Sequence, residues 1–127
     1  DLFFKTKDRL SKFNNRVELI RNFSSDAIDK VPNELDLVYI DGNHSYNYVL
    51  NDLKLWYSKV RDGGIIVCDD VVDKDDTKRG LDNNVFIEWS SGCYGNYGVY
   101  KAICDFCLEA GIRYDVIGNQ AIIKKNW

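Results

Sequence analysis

Methionine is absent from all 127 residues, histidine occurs once, and the chain opens on Asp1. A translated protein starts with Met, so the expectation is of a processed, trimmed or partial chain. Long apolar runs are also lacking. The longest are strand-sized, so none reads as a bilayer span, and the first residues do not read as a signal peptide. Net charge is −3 with basic residues scattered along the chain. There is no basic stripe suited to nucleic acid and no cationic amphipathic face suited to a membrane surface. Internal repeats and low-complexity segments are absent too. The expected partner is a small molecule, not nucleic acid or membrane.

What is present reads as globular. The chain is 45% hydrophobic, with eight Tyr and three Trp, and it is long enough for one domain with a real core but not for two. The four cysteines are Cys68, Cys93, Cys104 and Cys107. Cys104-x-x-Cys107 has the spacing of a redox or metal pair. It lies in a helical pattern, however, with no second pair and no nearby His. The favoured reading is core-facing thiols in a reducing cytoplasm.

Periodicity supplies an element order. Arg16 to Phe23 reads as a strand. Ser24-Ser25-Asp26 can cap a short helix that Pro32-Asn33 ends. Leu35 to Ile40 is a continuous apolar run, as in a strand buried on both faces. His44-Ser45-Tyr46 opens a helix whose apolar stripe is Val49, Leu53, Trp56 or Tyr57, and Val60. Asp62-Gly63-Gly64 reads as its stop and turn, and Ile65 to Cys68 as the next strand. Val72 to Arg79 is charged and irregular, and Gly80 to Gly98 is loop-like, with Phe86 to Trp89 a possible short strand. A helix from Tyr100 to Ala110, stopped by Gly111, precedes a hairpin turned at Gly118-Asn119. This alternation predicts an α/β fold, with a mostly parallel sheet and helices on both faces.

Two of these strands end in acids: Asp41 closes the first, and Asp69-Asp70 the second. Ligands of open parallel α/β sheets bind outside the carboxyl ends of the strands, and neighbouring strand ends lie about 5 Å apart. Carboxylates gathered there repel unless a cation or a proton relieves them. Oxygen donors of this kind suit Mg²⁺, Ca²⁺ or Mn²⁺. Asp after a strand is also common as a cap or turn former, and spacing alone leaves both readings open. The single histidine, His44, follows Asp41 in a glycine-containing turn, where it can serve as a general base near neutral pH. Asn43 can serve as a ligand or substrate contact.

The stretch from Leu37 through Asp41-Gly42-Asn43-His44-Ser45-Tyr46, followed by Gly63-Gly64-Ile65-Ile66-Val67-Cys68-Asp69-Asp70, resembles class I S-adenosylmethionine-dependent methyltransferases. The branch it resembles includes the macrocin-type sugar and macrolide O-methyltransferases, which are related to catechol-type enzymes. The helix around Gly98 to Ile103 and the terminal hairpin fit the end of that fold. The resemblance implies a Rossmann-like methyltransferase sheet, mostly parallel with a C-terminal antiparallel hairpin. It also implies a divalent metal, with Mg²⁺ expected, on Asp41, Asp69 and Asp70. That metal would hold a substrate hydroxyl while the methyl group leaves the sulfonium in line. Some relatives place an Asp base where this chain has Asn43, which cannot take a proton, so His44 is the candidate base.

The family's glycine-rich cofactor turn is not in the sequence. Aligned on the family, Asp1 matches the acid that binds the cofactor ribose, and Asn22, Phe23 and Ser24 lie near the adenine. Asp41 is counted with the cofactor residues too. The last three read equally well as a strand-to-helix turn. The expectation is that residues 1–127 are the later two-thirds of a methyltransferase domain, lacking the first strand or strands, with an exposed flank that makes homo-oligomers plausible. Phe86, Trp89, Tyr94 and Tyr97 are candidate pocket walls. The enzyme reading is metal-assisted O-methyl transfer to a hydroxylated small molecule such as a sugar. Its competitors are a methyltransferase-like scaffold that has lost cofactor binding, and a nucleotide- or sugar-binding α/β domain with other chemistry. Calorimetry of the 127-residue chain with S-adenosylhomocysteine is expected to show weak or no binding; tight binding would refute the reading of a chain without its cofactor loop.

Overall fold

A computed structural model describes residues 1–71 and 98–126. They fall into two compact units, residues 1–31 and residues 32–127. The expected strand at Phe86 to Trp89, the aromatic pocket walls Phe86, Trp89, Tyr94 and Tyr97, and Cys93 all lie outside the described residues.

The first unit is helical. Helix α1 spans Leu2–Leu10 and is capped by Asp1, whose Oδ1 accepts from the Phe3 amide at 2.9 Å. A 3₁₀ segment, Ser11–Arg16, follows, and α2 spans Ser24–Ala27. The strand expected over Arg16 to Phe23 does not form. Val17 has extended dihedrals but is 38% exposed, and among the described residues the sheet holds no partner for this segment. Apolar alternation alone does not make a strand, since strand formation depends on tertiary context. The N-cap of α2 is Phe23 rather than a serine, and it makes no side-chain cap bond.

The second unit carries the sheet. Strand β1 is Leu35–Ile40, helix α3 is Tyr46–Lys59, β2 is Val60–Cys68, helix α4 is Val99–Ala110, β3 is Tyr114–Ile117 and β4 is Gln120–Lys124. Spatial order is β1-β2-β4-β3. β1 and β2 pair in parallel, with Ile40 opposite Cys68, and the hairpin adds β4 and β3 antiparallel. Gly118 has φ 64 at the first position of the two-residue hairpin turn, where glycine suits the type II′ geometry that matches strand twist. The turn expected at Asp62-Gly63-Gly64 is absorbed into β2 as an irregularity: the register shifts between Leu35 and Leu37, and Gly63 takes φ 74. Gly64 has no room for a side chain, since a Cβ there would lie 2.6 Å from Val60 Cγ1.

The core sits on one face of the sheet. Val49 and Leu53 of α3 meet Val99, Ala102, Ile103, Phe106 and Cys107 of α4 over Ile40, Ile66, Cys68, Ala121 and Ile123. Burying each large aliphatic side chain contributes about 1.5–3 kcal/mol. The rings of Tyr57 and Phe106 meet edge to face at 5.4 Å, a favoured aromatic geometry. Among the described residues β1 is therefore buried on one face only: Leu37 and Tyr39 are 50% and 48% exposed, and α3 and α4 lie against the other face. Lys125 Nζ donates to the carbonyls of Tyr57 at 3.0 Å and Val60 at 2.7 Å. A cation there satisfies carbonyls that the last turn of α3 leaves free. Gly111, at φ 67, ends α4 in the left-handed conformation.

Cys68 and Cys107 are buried free thiols, and Cys104 lies 3.1 Å from the Tyr114 hydroxyl. Burial pushes the Cys68 thiol up to about 12 and the Cys107 thiol to about 11. Thiolate is the reactive form. Native protein treated with a thiol-reactive disulfide at pH 8 and mapped by mass spectrometry is therefore expected to leave Cys68 and Cys107 unmodified until denaturant is added.

Candidate functional site

Parallel pairing puts both strand ends on one rim. The Asp69 amide donates to the Ile40 carbonyl at 2.9 Å, so the ladder continues to the residue before Asp41. Asp41 then turns away at Gly42. Asn43 Oδ1 accepts from the Ser45 amide at 2.9 Å, a local turn that sets up the start of α3. Asn43 is thus held as a turn former.

α4 holds this turn from the other side. The Gly98 amide donates to the His44 carbonyl at 2.9 Å, and a Cβ on Gly98 would lie 2.6 Å from Tyr46 Cβ and 2.9 Å from its Cα. Only glycine allows so close an approach. The Tyr46 hydroxyl donates to Asp105 at 2.7 Å, and Lys101 pairs with the same carboxylate at 2.5 Å. The Lys101 ammonium also lies 5.0 Å from the centre of the Tyr46 ring.

Three side chains converge on the rim. His44 Nε2 lies 3.6 Å from Asp41 Oδ1 and 3.5 Å from Asp70 Oδ2, and one ligand atom from each of the three lies within 4.8 Å of the others. The imidazole is mostly covered, whereas the Asp41 and Asp70 side chains are each 51% exposed. Asp70 reaches this position with φ 53, a left-handed conformation that few residues other than Gly, Asn and Asp adopt readily.

Asp69 faces other partners. Its Oδ2 accepts from the Tyr39 hydroxyl, and its Oδ1 accepts from the Asp70 amide at 2.8 Å and from Asn119 Nδ2 at 3.2 Å. Gln120 Nε2 donates to the Tyr39 oxygen at 2.8 Å. The Tyr39 bond, followed by the Asp70 amide, holds the Asp69 carboxyl below the usual carboxylate range. The same bond, with burial and the nearby charges of Asp69 and Asp41, pushes the Tyr39 phenol up to about 12. Of the three acids read from the sequence, the structure brings Asp41 and Asp70 together with His44 and ties Asp69 to Tyr39 and the hairpin turn. Tyr39, Asn119 and Gln120 escaped sequence reasoning. The one available signal was the outward position of Tyr39, two residues before Asp41.

The remaining cofactor candidates lie in the first unit. Asp1 caps α1 and pairs with Arg21 at 3.1 Å. Asn22 Oδ1 accepts from Lys30 at 2.8 Å. Phe23 is 79% exposed, and Ser24 opens α2. The Asp1 carboxylate is engaged by its own helix and by Arg21, and the sequence holds no glycine-rich turn. At the rim, two half-exposed carboxylates with an imidazole beside them could hold a divalent cation and leave positions open for water and substrate.

Comparison with known proteins follows the same lines. Residues 3–71 match a protein family described as a methyltransferase domain. An uncharacterized protein of Acanthamoeba polyphaga mimivirus is 40% identical over 75 residues, 53% of this chain and 34% of that protein. The SAH-bound methyltransferase PaMTH1 of Podospora anserina superimposes with a TM-score of 0.66 at 17% identity, covering 98% of this chain and 56% of that one. MycE, a methyltransferase of mycinamycin biosynthesis in complex with Mg, SAH and mycinamycin VI, gives 0.50 at 20% identity over 86% and 31% of the two chains. The chain thus spans about a third to just over half of these relatives, and the structural likenesses carry the fold.

The Tyr39–Asp69 bond makes a pH prediction. Asp69 is depressed, so its contribution is present above the unfolded carboxyl value of about 3.9 and is lost as pH falls through the lower folded value. Tyr39 is raised, so its contribution holds below an unfolded value of about 10 and is lost as pH rises through the folded one. Denaturant unfolding of wild type and Tyr39→Phe should differ by a constant amount from about pH 5 to 9, and the gap should close on both flanks. A gap that does not change with pH would contradict this.

Proposed function

Because this chain belongs to the methyltransferase-domain family, we propose that its rim serves S-adenosylmethionine-dependent O-methyl transfer, assisted by a divalent cation, to a hydroxylated small molecule such as a sugar. The observation that carries the reading is the convergence of Asp41, Asp70 and His44 within 4.8 Å at the carboxyl ends of β1 and β2. A cation bound there, with Mg²⁺ the favoured choice, would supply Lewis acidity toward a substrate hydroxyl.

The chain's own groups divide the work. Asp41 and Asp70 are the anionic holders, half-exposed so that a hydroxylated substrate can approach. Mg²⁺ is commonly held by one or two carboxylates, with water and substrate completing the shell. His44 Nε2, beside both carboxylates, is the acceptor for the hydroxyl proton. The Gly98 bond and the Asn43 turn fix the imidazole's backbone, which lowers the cost of orienting it. S-Adenosylmethionine supplies the methyl group.

The test is product mass spectrometry. The protein carrying these residues is incubated with isotope-labelled S-adenosylmethionine, Mg²⁺ and a panel of sugars and phenols. A labelled methyl product is expected, and a chelator should abolish it. Asp41→Asn and Asp70→Asn should each lower the rate about 100-fold or more. His44→Gln should lower it about 100-fold while leaving Mn²⁺ uptake nearly intact. Undiminished turnover in chelator would remove the cation from the reading. Loss of Mn²⁺ uptake in His44→Gln would make the imidazole a ligand instead of the base.

A further inference from the structure

We propose that Asp69 is a positioning residue for the cation site rather than one of its ligands, and that the turn of the terminal hairpin acts through it. The inference rests on the cation reading of Asp41 and Asp70. Asp69 stands next to a residue of that pair, yet both of its oxygens are committed elsewhere: Oδ2 to the Tyr39 hydroxyl, and Oδ1 to the Asp70 amide and Asn119 Nδ2. A ligand oxygen must offer a lone pair to the ion, and three donors take three of this carboxylate's roughly four lone-pair sites and hold it turned toward Tyr39 and the hairpin turn.

Its partners explain what it does. Asp70 sits at φ 53, a conformation that persists when its surroundings over-determine it. The Oδ1 bond to the Asp70 amide fixes the peptide on the near side of that residue. On the far side, the Val71 amide donates to the Asn119 carbonyl at 2.8 Å. Asn119 therefore grips both flanks, its side chain on Asp69 and its carbonyl on Val71. Gln120 steadies the Tyr39 oxygen at 2.8 Å. Pinned on both sides, Asp70 turns its carboxylate toward His44 at 3.5 Å. The hairpin turn, distant in sequence, thereby sets the geometry of the rim.

Asparagine separates the two roles. Asp69→Asn keeps an oxygen for the Asp70 amide and Asn119 but is a poor ligand, whereas Asp69→Ala removes the acceptor. Mn²⁺ binding to the 127-residue chain, read by electron paramagnetic resonance, should weaken no more than about 16-fold in Asp69→Asn, the effect on a divalent ion of losing one charge about 5 Å away in a water-like dielectric. Asp69→Ala, which loses the acceptor as well as the charge, should weaken it about 10-fold beyond Asp69→Asn, and Asp41→Asn and Asp70→Asn should each weaken it well beyond Asp69→Asn. Tyr39→Phe guards against an alanine variant that fails to fold: positioning predicts unchanged or weaker Mn²⁺ binding, whereas a freed ligand would bind more tightly. Asp69→Asn falling as far as Asp70→Asn, or a gain in Tyr39→Phe, would overturn the proposal while leaving the cation reading intact. If the wild-type chain takes up no Mn²⁺, the cation reading fails. Amide exchange at Asp70 then decides the positioning claim: protection in wild type and Asp69→Asn but not in Asp69→Ala upholds it, and equal protection in all of them overturns it.

Discussion

The pairing of β1 with β2 is the constraint on which the site depends. A parallel ladder that runs Leu37 opposite Ile65 through Ile40 opposite Cys68 leaves no choice about where the next residues emerge. Asp41 and the Asp69-Asp70 pair must leave the sheet on the same rim, one strand spacing apart, about 5 Å. Slipping the register by one residue would turn Ile66 and Cys68 out of the core and disperse the acids. Core packing and charge placement are therefore one structural fact. The buried face of Ile40, Ile66, Cys68, Ala121 and Ile123 fixes the register, and the register gathers the carboxylates.

The C-terminal third is built into that rim by two routes. Through α4, Gly98 presses against the backbone of Tyr46 and bonds the His44 carbonyl, so the helix start that carries the imidazole is set by a residue far along the chain. Through the hairpin turn, Asn119 and Gln120 reach Asp69 and Tyr39. β4 lies beside β2, which brings its first residues up to the same edge as the acids. An element that looks like a simple closure of the sheet is the support for Asp70.

Legibility divided along the line between local and tertiary information. The stripe of Val49 and Leu53, the stop at Gly111, the hairpin at Gly118-Asn119 and the acid-ended strands rest on period and turn chemistry, which act within a few residues, and all of them could be read. The apolar alternation of Val17 and Leu19 is the same kind of signal, yet it forms no strand because pairing is a tertiary event. The outward face of β1 was hidden for a related reason: a continuous apolar run does not say that α3 and α4 will share one side. At the site, the convergence of Asp41 and His44 was legible from the turn between them. Which of two adjacent aspartates would face inward was not. Consecutive carboxylates are equivalent in a sequence, and only the left-handed twist at Asp70, held by Asn119 of the hairpin turn, separates their roles.

Charge balance is the argument for a divalent ion in the proposed reading of the rim. Asp41 and Asp70 place two negative charges against one imidazole. Protonating His44 would cancel one of them and would consume the only histidine in the chain. A divalent cation would cancel both. Asp69 adds a third negative charge nearby, but the Tyr39 and Asn119 donors and the Asp70 amide spread it over hydrogen bonds, so it need not be cancelled by the ion. On the proposed reading, the network around Tyr39 does more than hold a loop in place. It lets the rim carry three carboxylates while asking a single cation to neutralise only two of them.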